Sequence, residues 1–382
     1  METEPGSDRP GEVRKVMSAR QSEVETTSRK LSTRGIAWTK LRRKKTAMLS
    51  LYVLVVLYAG ALFAGFVSPY SYAHRNDAAQ FHPPMLTSVH IFNSDGGLTR
   101  PFVYGGSTGG SGYSDDKSRV FPIRFFVRGD PYAILWVIRS DIHLFGVDEP
   151  GAIYLFGSDL FGRDIFSRIM FGSQISLSVG IVGIIISTTI GVLVGGLAGY
   201  LGGAFDFVSM RLVEVLLAIP GLYFILILRQ TFGNDLDSSQ VYFLIVIILS
   251  FIGWASEARV VRGMVLALKE REFVLAAQAL GLGKFRILIR HILPNTMSFV
   301  IVTATLTVPF YILSEVALSF LGVGIHEPEA SWGNMLSAAQ NVRFLTDFTW
   351  ILTPGVFILI AVMAWNILGD GLRDAADPRT LG

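Results

Sequence analysis

Long apolar stretches separated by short polar ones dominate the 382-residue chain. Runs able to cross about 30 Å of hydrocarbon fall near Ala47–Val67, Ile175–Tyr200, Phe207–Leu228, Val241–Val261, Met297–Phe320 and Trp350–Leu368, which predicts six spanning helices. Pro220 lies inside the third run and is expected to kink or break it. Residues 68–156 follow a different pattern. His82–Val103 and Val120–Ile138 are rich in aromatic and β-branched residues and partly alternate, as in the run from Phe121 to Gly129. Such runs predict strands. Between them, Gly105–Ser114 is rich in Gly and Ser and is expected to form a flexible tip. The expected fold class is an all-α polytopic membrane protein with a small β-containing insertion between helices 1 and 2.

Composition agrees: 51% of residues are hydrophobic, only 16% are charged, and mean hydropathy is +0.48. The chain has no Cys, so disulfides and Cys-based sites are excluded. The placement of charge says more than the net value of +3. Lys40, Arg42, Arg43, Lys44 and Lys45 precede the first run, and the positive-inside rule puts residues 1–45 in the cytoplasm. Six crossings return the tail, 371–382, to the same side. The segment 262–295 is then cytoplasmic too, and it carries Arg262, Lys269, Arg271, Lys284, Arg286, Arg290 and His291. The short outer links hold only Arg229 and Arg343. The first run, 46–67, is too long and too far from Met1 for a cleaved signal, so it is expected to be an anchor. Residues 1–38 are polar without an apolar period and are expected to be disordered.

The outer segment 68–156 is too short for an enzyme domain with a large core. It is either a cap over the outer face or a docking surface for a substrate-delivery protein. Membrane lipid and orientation account for the basic N-terminus beside a span, so no nucleic-acid partner is expected.

No G-x-x-x-x-G-K-[ST] phosphate loop, H-E-x-x-H or nucleophile elbow occurs. No catalytic residue, metal site or cofactor bound by this chain is expected. Ionisable residues inside spans usually have a reason. Arg211 precedes Glu214 by three residues, which predicts a structural charge pair. Glu257 and Arg259 are expected to pair at the membrane interface. Glu315 follows Pro309 and Ser314 without a basic neighbour. With Ser314 and Pro220 it forms the candidate translocation path.

The stretch Glu272–Asn295 interrupts the apolar pattern. A helix over Arg271–Leu280, a break at Gly281 and Gly283, and a second helix over Lys284–Leu293 stopped at Pro294 are predicted. From the residues alone, this is either a docking knob or an amphipathic connector on the membrane surface. Ala276-Ala277, Gly281 and Leu293-Pro294 sit at the spacing of the EAA loop of ABC importer permeases, which this stretch resembles. Glu272, Ala276, Ala277, Gly281, Leu293 and Pro294 are the coupling residues that the resemblance implies.

The rest of the chain from Gly157 resembles the second permease subunit of oligopeptide and dipeptide ABC importers. The matching motifs are Gly157-Ser158-Asp159 with Gly162-Arg163-Asp164 and Ser167-Arg168; Gly199–Gly203 with Asp206 and Met210-Arg211; and His291–Asn295. Ser319–Gly322 with Ser331–Gly333, and Asn366 with Leu368–Asp374 and Asp377–Arg379, complete the set. Two departures stand out: Leu275 occupies the acidic EAA position, and 68–156 is longer than the usual outer loop.

The resemblance implies a permease core over 157–370 with five transmembrane helices and the cytoplasmic coupling loop 262–295, in a bacterial cytoplasmic (inner) membrane. It also implies a homologous second permease subunit, two ABC ATPase subunits that carry ATP and magnesium, and an extracytoplasmic substrate-binding protein. Peptides are the expected cargo; related permeases move nickel complexes or sugars. The rival readings are a stand-alone secondary transporter or channel, which would carry paired broken helices or charge relays, and a non-transporting membrane scaffold.

Overall fold

The computed structural model describes residues 33–86, 88–92, 98–109, 112–134, 137–232 and 236–376. In chain order, the helices are α1 (Thr33–Arg43), α2 (Lys45–Leu62), α3 (Ala64–Val67), α4 (Ile165–Leu201), α5 (Gly203–Ala218), α6 (Gly221–Phe232) and α7 (Ser238–Leu268). They continue with α8 (Glu272–Ala279), α9 (Lys284–Ile287), α10 (Leu293–Phe320), α11 (Trp332–Leu336), α12 (Val342–Asp347) and α13 (Thr353–Ala376). Among the described residues, five helical stretches are long and apolar enough to cross a membrane: 45–62, 165–201, 238–268, 284–320 and 349–376.

The third expected span is not one helix. α5 and α6 are separated at Ile219-Pro220; proline has no N–H for the helical ladder and its ring disfavours helical geometry in the residue before it. Asp206 on α5 is bonded to Arg262 near the end of α7, and Ser238 at the start of α7 donates to His326 O at 3.1 Å.

Helix ends are set by local chemistry. The Asp164 carboxylate caps α4 by accepting from Ser167 N at 2.8 Å, and Asp237 with Gln240 forms a capping box at α7. These bonds satisfy donors that a helix leaves open at its start. α4 packs along α7 through Gly191, Gly195 and Gly199, spaced four residues apart on one face. A Cβ on Gly195 would lie 2.3 Å from Ala258 O, and one on Gly199 2.8 Å from Arg262 O. Backbones this close require glycine, and such contacts hold helices together where lipid supplies no hydrophobic drive. The main core gathers Leu177, Ile245, Ile248, Tyr311, Ile312 and Trp332.

Five strands occupy the segment between α3 and α4: β1 (His90–Phe92), β2 (Leu98–Gly109), β3 (Gly112–Pro122), β4 (Arg124–Ile134) and β5 (Ile138–Gly146). β1-β2-β3 form one antiparallel sheet and β4-β5 a separate hairpin. Val103 of β2 and Ile123, between β3 and β4, pack with Met85, Ile153 and Tyr154.

Three expectations are corrected. The Gly/Ser run Gly105–Ser114 is not a free tip: Gly105 pairs with Asp116 and Gly109 with Gly112 at the end of the β2-β3 hairpin, and only residues 110 and 111 lie outside the described residues. Cross-strand bonds hold it despite its composition.

Most of the N-terminal segment expected to be disordered (1–32) also lies outside the described residues, as does the Asp377–Arg379 motif. Residues 33–43, however, form helix α1, because Leu41 is buried against Ala47 and Ala375. Lys44 adds an ion pair to Asp374.

Finally, the helix after Gly283 does not stop at Pro294. It passes through a π-helical turn, Leu288–Ile292, into α10. Proline is tolerated in a first helical turn, where its missing N–H would have no helical partner, and the wider π turn supplies that start.

Candidate functional site

Between α7 and α10 the chain folds back on itself. Gly281 has φ of +73°, Leu282 N donates to Ala277 O at 3.2 Å and Gly281 N to Gln278 O at 2.9 Å. This pair of bonds satisfies the last carbonyls of α8 and requires a left-handed residue just past the helix. Leu282 is thereby carried beneath α8. It joins Val274, Ala277, Ile287, Leu288 and Ile292, which pack on Val261, Val265 and Val300.

The outward side of the same segment is also apolar. Phe273, Leu275, Leu280, Phe285 and Ile289 are exposed, Leu280 to 81%. Arg271, Glu272, Lys284, Arg286 and Arg290 are exposed beside them. Single exposed apolar residues are ordinary, but a group of five rimmed by charge marks a surface for contact with another protein or with a membrane.

The predicted coupling residues divide between these two sides. Glu272, Ala276, Gly281 and Pro294 are exposed, whereas Ala277 and Leu293 belong to the packing beneath. Ala277 lies three residues after Val274 on the buried face of α8 and so cannot meet a partner. A Cβ on Gly281 would meet nothing within 4 Å.

At the other end, the links before α4 and after α10 are joined by charge. Arg163 Nε donates to Asp159 Oδ2 at 2.7 Å, and Arg163 also holds Glu327. Arg168 Nη2 reaches Glu327 Oε1 at 3.0 Å, and its Nη1 donates to Tyr72 O at 3.1 Å. Both arginine side chains are almost fully buried. Two carboxylates and two guanidinium groups balance, which is what makes such burial tolerable.

The Arg163–Asp164–Ser167–Arg168 motif thus does two jobs. The arginines hold the outer link, while Asp164 caps α4, and burial pushes the Asp164 carboxyl up to about 7.

Glu315 is fully buried on α10. Ser176 Oγ donates to its Oε2 and Ser319 Oγ to its Oε1, both at 2.7 Å. Those hydroxyls accept in turn from Trp332 N at 3.1 Å and Ile325 N at 3.0 Å. The candidate path residues are therefore not brought together. Glu315 is interior; Ser314 is half-buried with its hydroxyl turned to Phe310 O at 2.7 Å; Pro220 is exposed at the α5–α6 break. Arg211 and Glu214 meet at 2.7 Å on the exposed face of α5, a surface pair of little energetic weight. Glu257 accepts from Thr303 on α10 at 3.1 Å.

Sequence reasoning passed over the outward apolar residues of the loop and the partners of the two buried networks. Leu280 and Phe285, apolar residues beside a turn among basic ones, carried a readable signal. Nothing local marks Glu327 as the partner of Arg163 and Arg168.

Residues 191–382 match the family described as binding-protein-dependent transport system inner membrane component. Residues 32–84 match the N-terminal transmembrane domain of oligopeptide transport permease C. The chain is 33% identical to the dipeptide transport system permease DppC of Bacillus subtilis, over 90% of its own length and 85% of the relative's. It is 43% identical to the oligopeptide transport system permease OppC of Haemophilus influenzae over 59% of its length and 70% of the relative's. Among solved structures, it is similar to the methionine ABC transporter MetNI at a TM-score of 0.39 and 17% identity, covering 55% of this chain and 96% of that one.

Proposed function

The chain belongs to the binding-protein-dependent transport system inner membrane component family, and from that premise we propose that it is the permease subunit of an ATP-driven peptide importer. Its partners in this reading are a homologous permease subunit, two ATPase chains that bind ATP and magnesium, and an extracytoplasmic binding protein. The peptide cargo follows the dipeptide and oligopeptide permeases that the chain resembles.

The permease has six crossings in this reading, with both termini and the loop 262–295 in the cytoplasm and residues 68–156 outside. Parity supports the count. The Lys44–Asp374 ion pair joins the start of the first span to the end of the last, so the number of crossings between them is even. Five long helices alone would be odd. The α5–α6 pair, tied to α7 through Asp206 at one end and followed by Ser238 at the other, supplies the sixth.

The observation that carries the function is the exposed apolar surface of 273–289 on a segment whose other side is locked into the helical core. An ATPase seated there moves the loop when nucleotide draws the two motor subunits together, and the spans re-orient between outward- and inward-open states. Such coupling requires the ATPase to contact the two states differently. The test is a mild-detergent pull-down of the full chain with mass spectrometry. An ATPase and a second permease should co-purify, and the ATPase should be lost on Leu280→Asp. Recovery of the chain alone would overturn the reading.

A further inference from the structure

The β4-β5 hairpin runs back along the first span. Gly129 lies beside Pro69 O, and Gly65 has no room for a Cβ because the Tyr132 ring is 2.4 Å from where it would be. Ala133 borders the same groove as Tyr58, Ala61 and Leu62. Four residues of strand thus descend past eight residues of chain that lead back into α2. His143 Nε2 bonded to Asp130 O at 2.9 Å, and its Nδ1 to Ser68 O, fix the hairpin at that angle.

The depth of this point follows from the helix. α2 begins at Lys45, in the basic block at one membrane surface, and its 18 residues rise about 27 Å. The hydrocarbon is about 30 Å thick, so Ala61 and Leu62 stand near its opposite boundary. The hairpin continues past Ala133 in the same direction, and the described residues at its apex are Ile134, Val137 and Ile138. None is polar. Val137 is 80% exposed and Ile138 62%. Arg139, opposite Ala133 in the register, is exposed at headgroup height.

We propose that this hairpin is a membrane anchor, which inserts its apex among the acyl chains of the leaflet opposite the Lys40–Lys45 block. An apolar end with a cation just above it is the arrangement of interfacial anchors, which enter about 5–10 Å. A two-stranded hairpin cannot go deeper, because its open edges would strand backbone groups in hydrocarbon. Insertion is therefore confined to the apex. Beside α2, it widens the grip of the first span on that leaflet and ties the outer segment to the bilayer.

The absence of cysteine allows single labelled sites. The full-length chain carrying an environment-sensitive fluorophore at Val137→Cys or Ile138→Cys is placed in phosphatidylethanolamine/phosphatidylglycerol vesicles. Ser118→Cys on β3 sets the level for water, and Val56→Cys on α2 that for hydrocarbon. The inference rests on α2 spanning the bilayer, which the Val56→Cys label reads separately. Brominated lipid should quench the two apex labels several-fold more than the Ser118→Cys label, and iodide several-fold less. Iodide quenching equal to that at Ser118→Cys would overturn the anchor. Shielding from both quenchers, the signature of a protein contact, would overturn it as well.

Discussion

Arg168 and Glu327, 159 residues apart, meet at 3.0 Å through a guanidinium that is almost wholly buried. Glu327 also holds Arg163, so one carboxylate joins two arginines ahead of and within α4 to the link after α10. Removing it with Glu327→Ala leaves both guanidinium groups to Asp159. The cost should lie toward the low end of about 3–5 kcal/mol, because Glu327 is open to solvent on its outer side. Thermal unfolding of purified Glu327→Ala and Glu327→Gln chains measures it. An unchanged apparent Tm in both would show that the cluster does not hold the two links.

Leu280→Asp and Ala277→Asp sit three residues apart and should fail differently. Leu280 faces outward, so its variant should insert and fold but bind the ATPase about thirtyfold more weakly, the effect of losing about 2 kcal/mol at a contact centre. Ala277→Asp buries a charge beneath α8 and should lower the amount of folded chain in the membrane. Equal ATPase binding by Leu280→Asp and wild type would remove Leu280 from the interface.

Gly195→Leu should separate α4 from α7. The side chain has nowhere to go, with the Ala258 carbonyl 2.3 Å from its Cβ. Because the tight contact is between backbones, Gly195→Ala should already lower thermal stability, and Leu more so. A Gly195→Ala chain as stable as wild type would mean that the helices can move apart at little cost.

Asp164 predicts a pH dependence. The carboxyl ionises near 4 in an unfolded chain but is held up to about 7 by burial in the native one. Between those values the unfolded chain gives up a proton that the native chain keeps. The stabilisation is therefore complete below about pH 4, declines as pH rises by up to about 1.4 kcal/mol per unit, and is gone above about pH 7. Asp164→Asn keeps a helix-capping oxygen and should remove this slope. Parallel stability curves for the two chains between pH 4 and 8 would contradict it.

Glu315→Gln tests the buried network. Both carboxylate oxygens accept serine hydroxyls that are themselves bound by Ile325 N and Trp332 N. An amide nitrogen cannot accept, so one chain of bonds is lost. Hydrogen exchange over 325–332 should quicken about tenfold, the equivalent of one net hydrogen bond, while membrane insertion is kept. Unchanged exchange would show that Glu315 does not fix this link.

The apolar runs marked most of the helical layer in the sequence because a spanning helix is dictated by length and hydropathy alone. The α5–α6 break was legible at Pro220 for an equally local reason. What was not legible depended on contacts distant in the chain. The packing of Leu41 on Ala375 turned a polar segment into helix α1, and pairing with Asp115 and Asp116 ordered glycines whose composition suggested freedom. In the loop 262–295, the Gly281 turn could be placed from the sequence, but which of two adjacent alanines faces outward could not. That choice is made by Val274 and the residues across from it.

The π turn at Leu288–Ile292 has a mechanical consequence. Had the chain broken at Pro294, a push on the outward apolar surface would have been spent in bending a joint. Instead, the helical path from Lys284 to Phe320 is continuous, with Pro309 inside it, so a tilt of the outward apolar surface is carried along one lever. That lever carries Glu315 at its far end, within reach of the link that Arg168 and Glu327 secure.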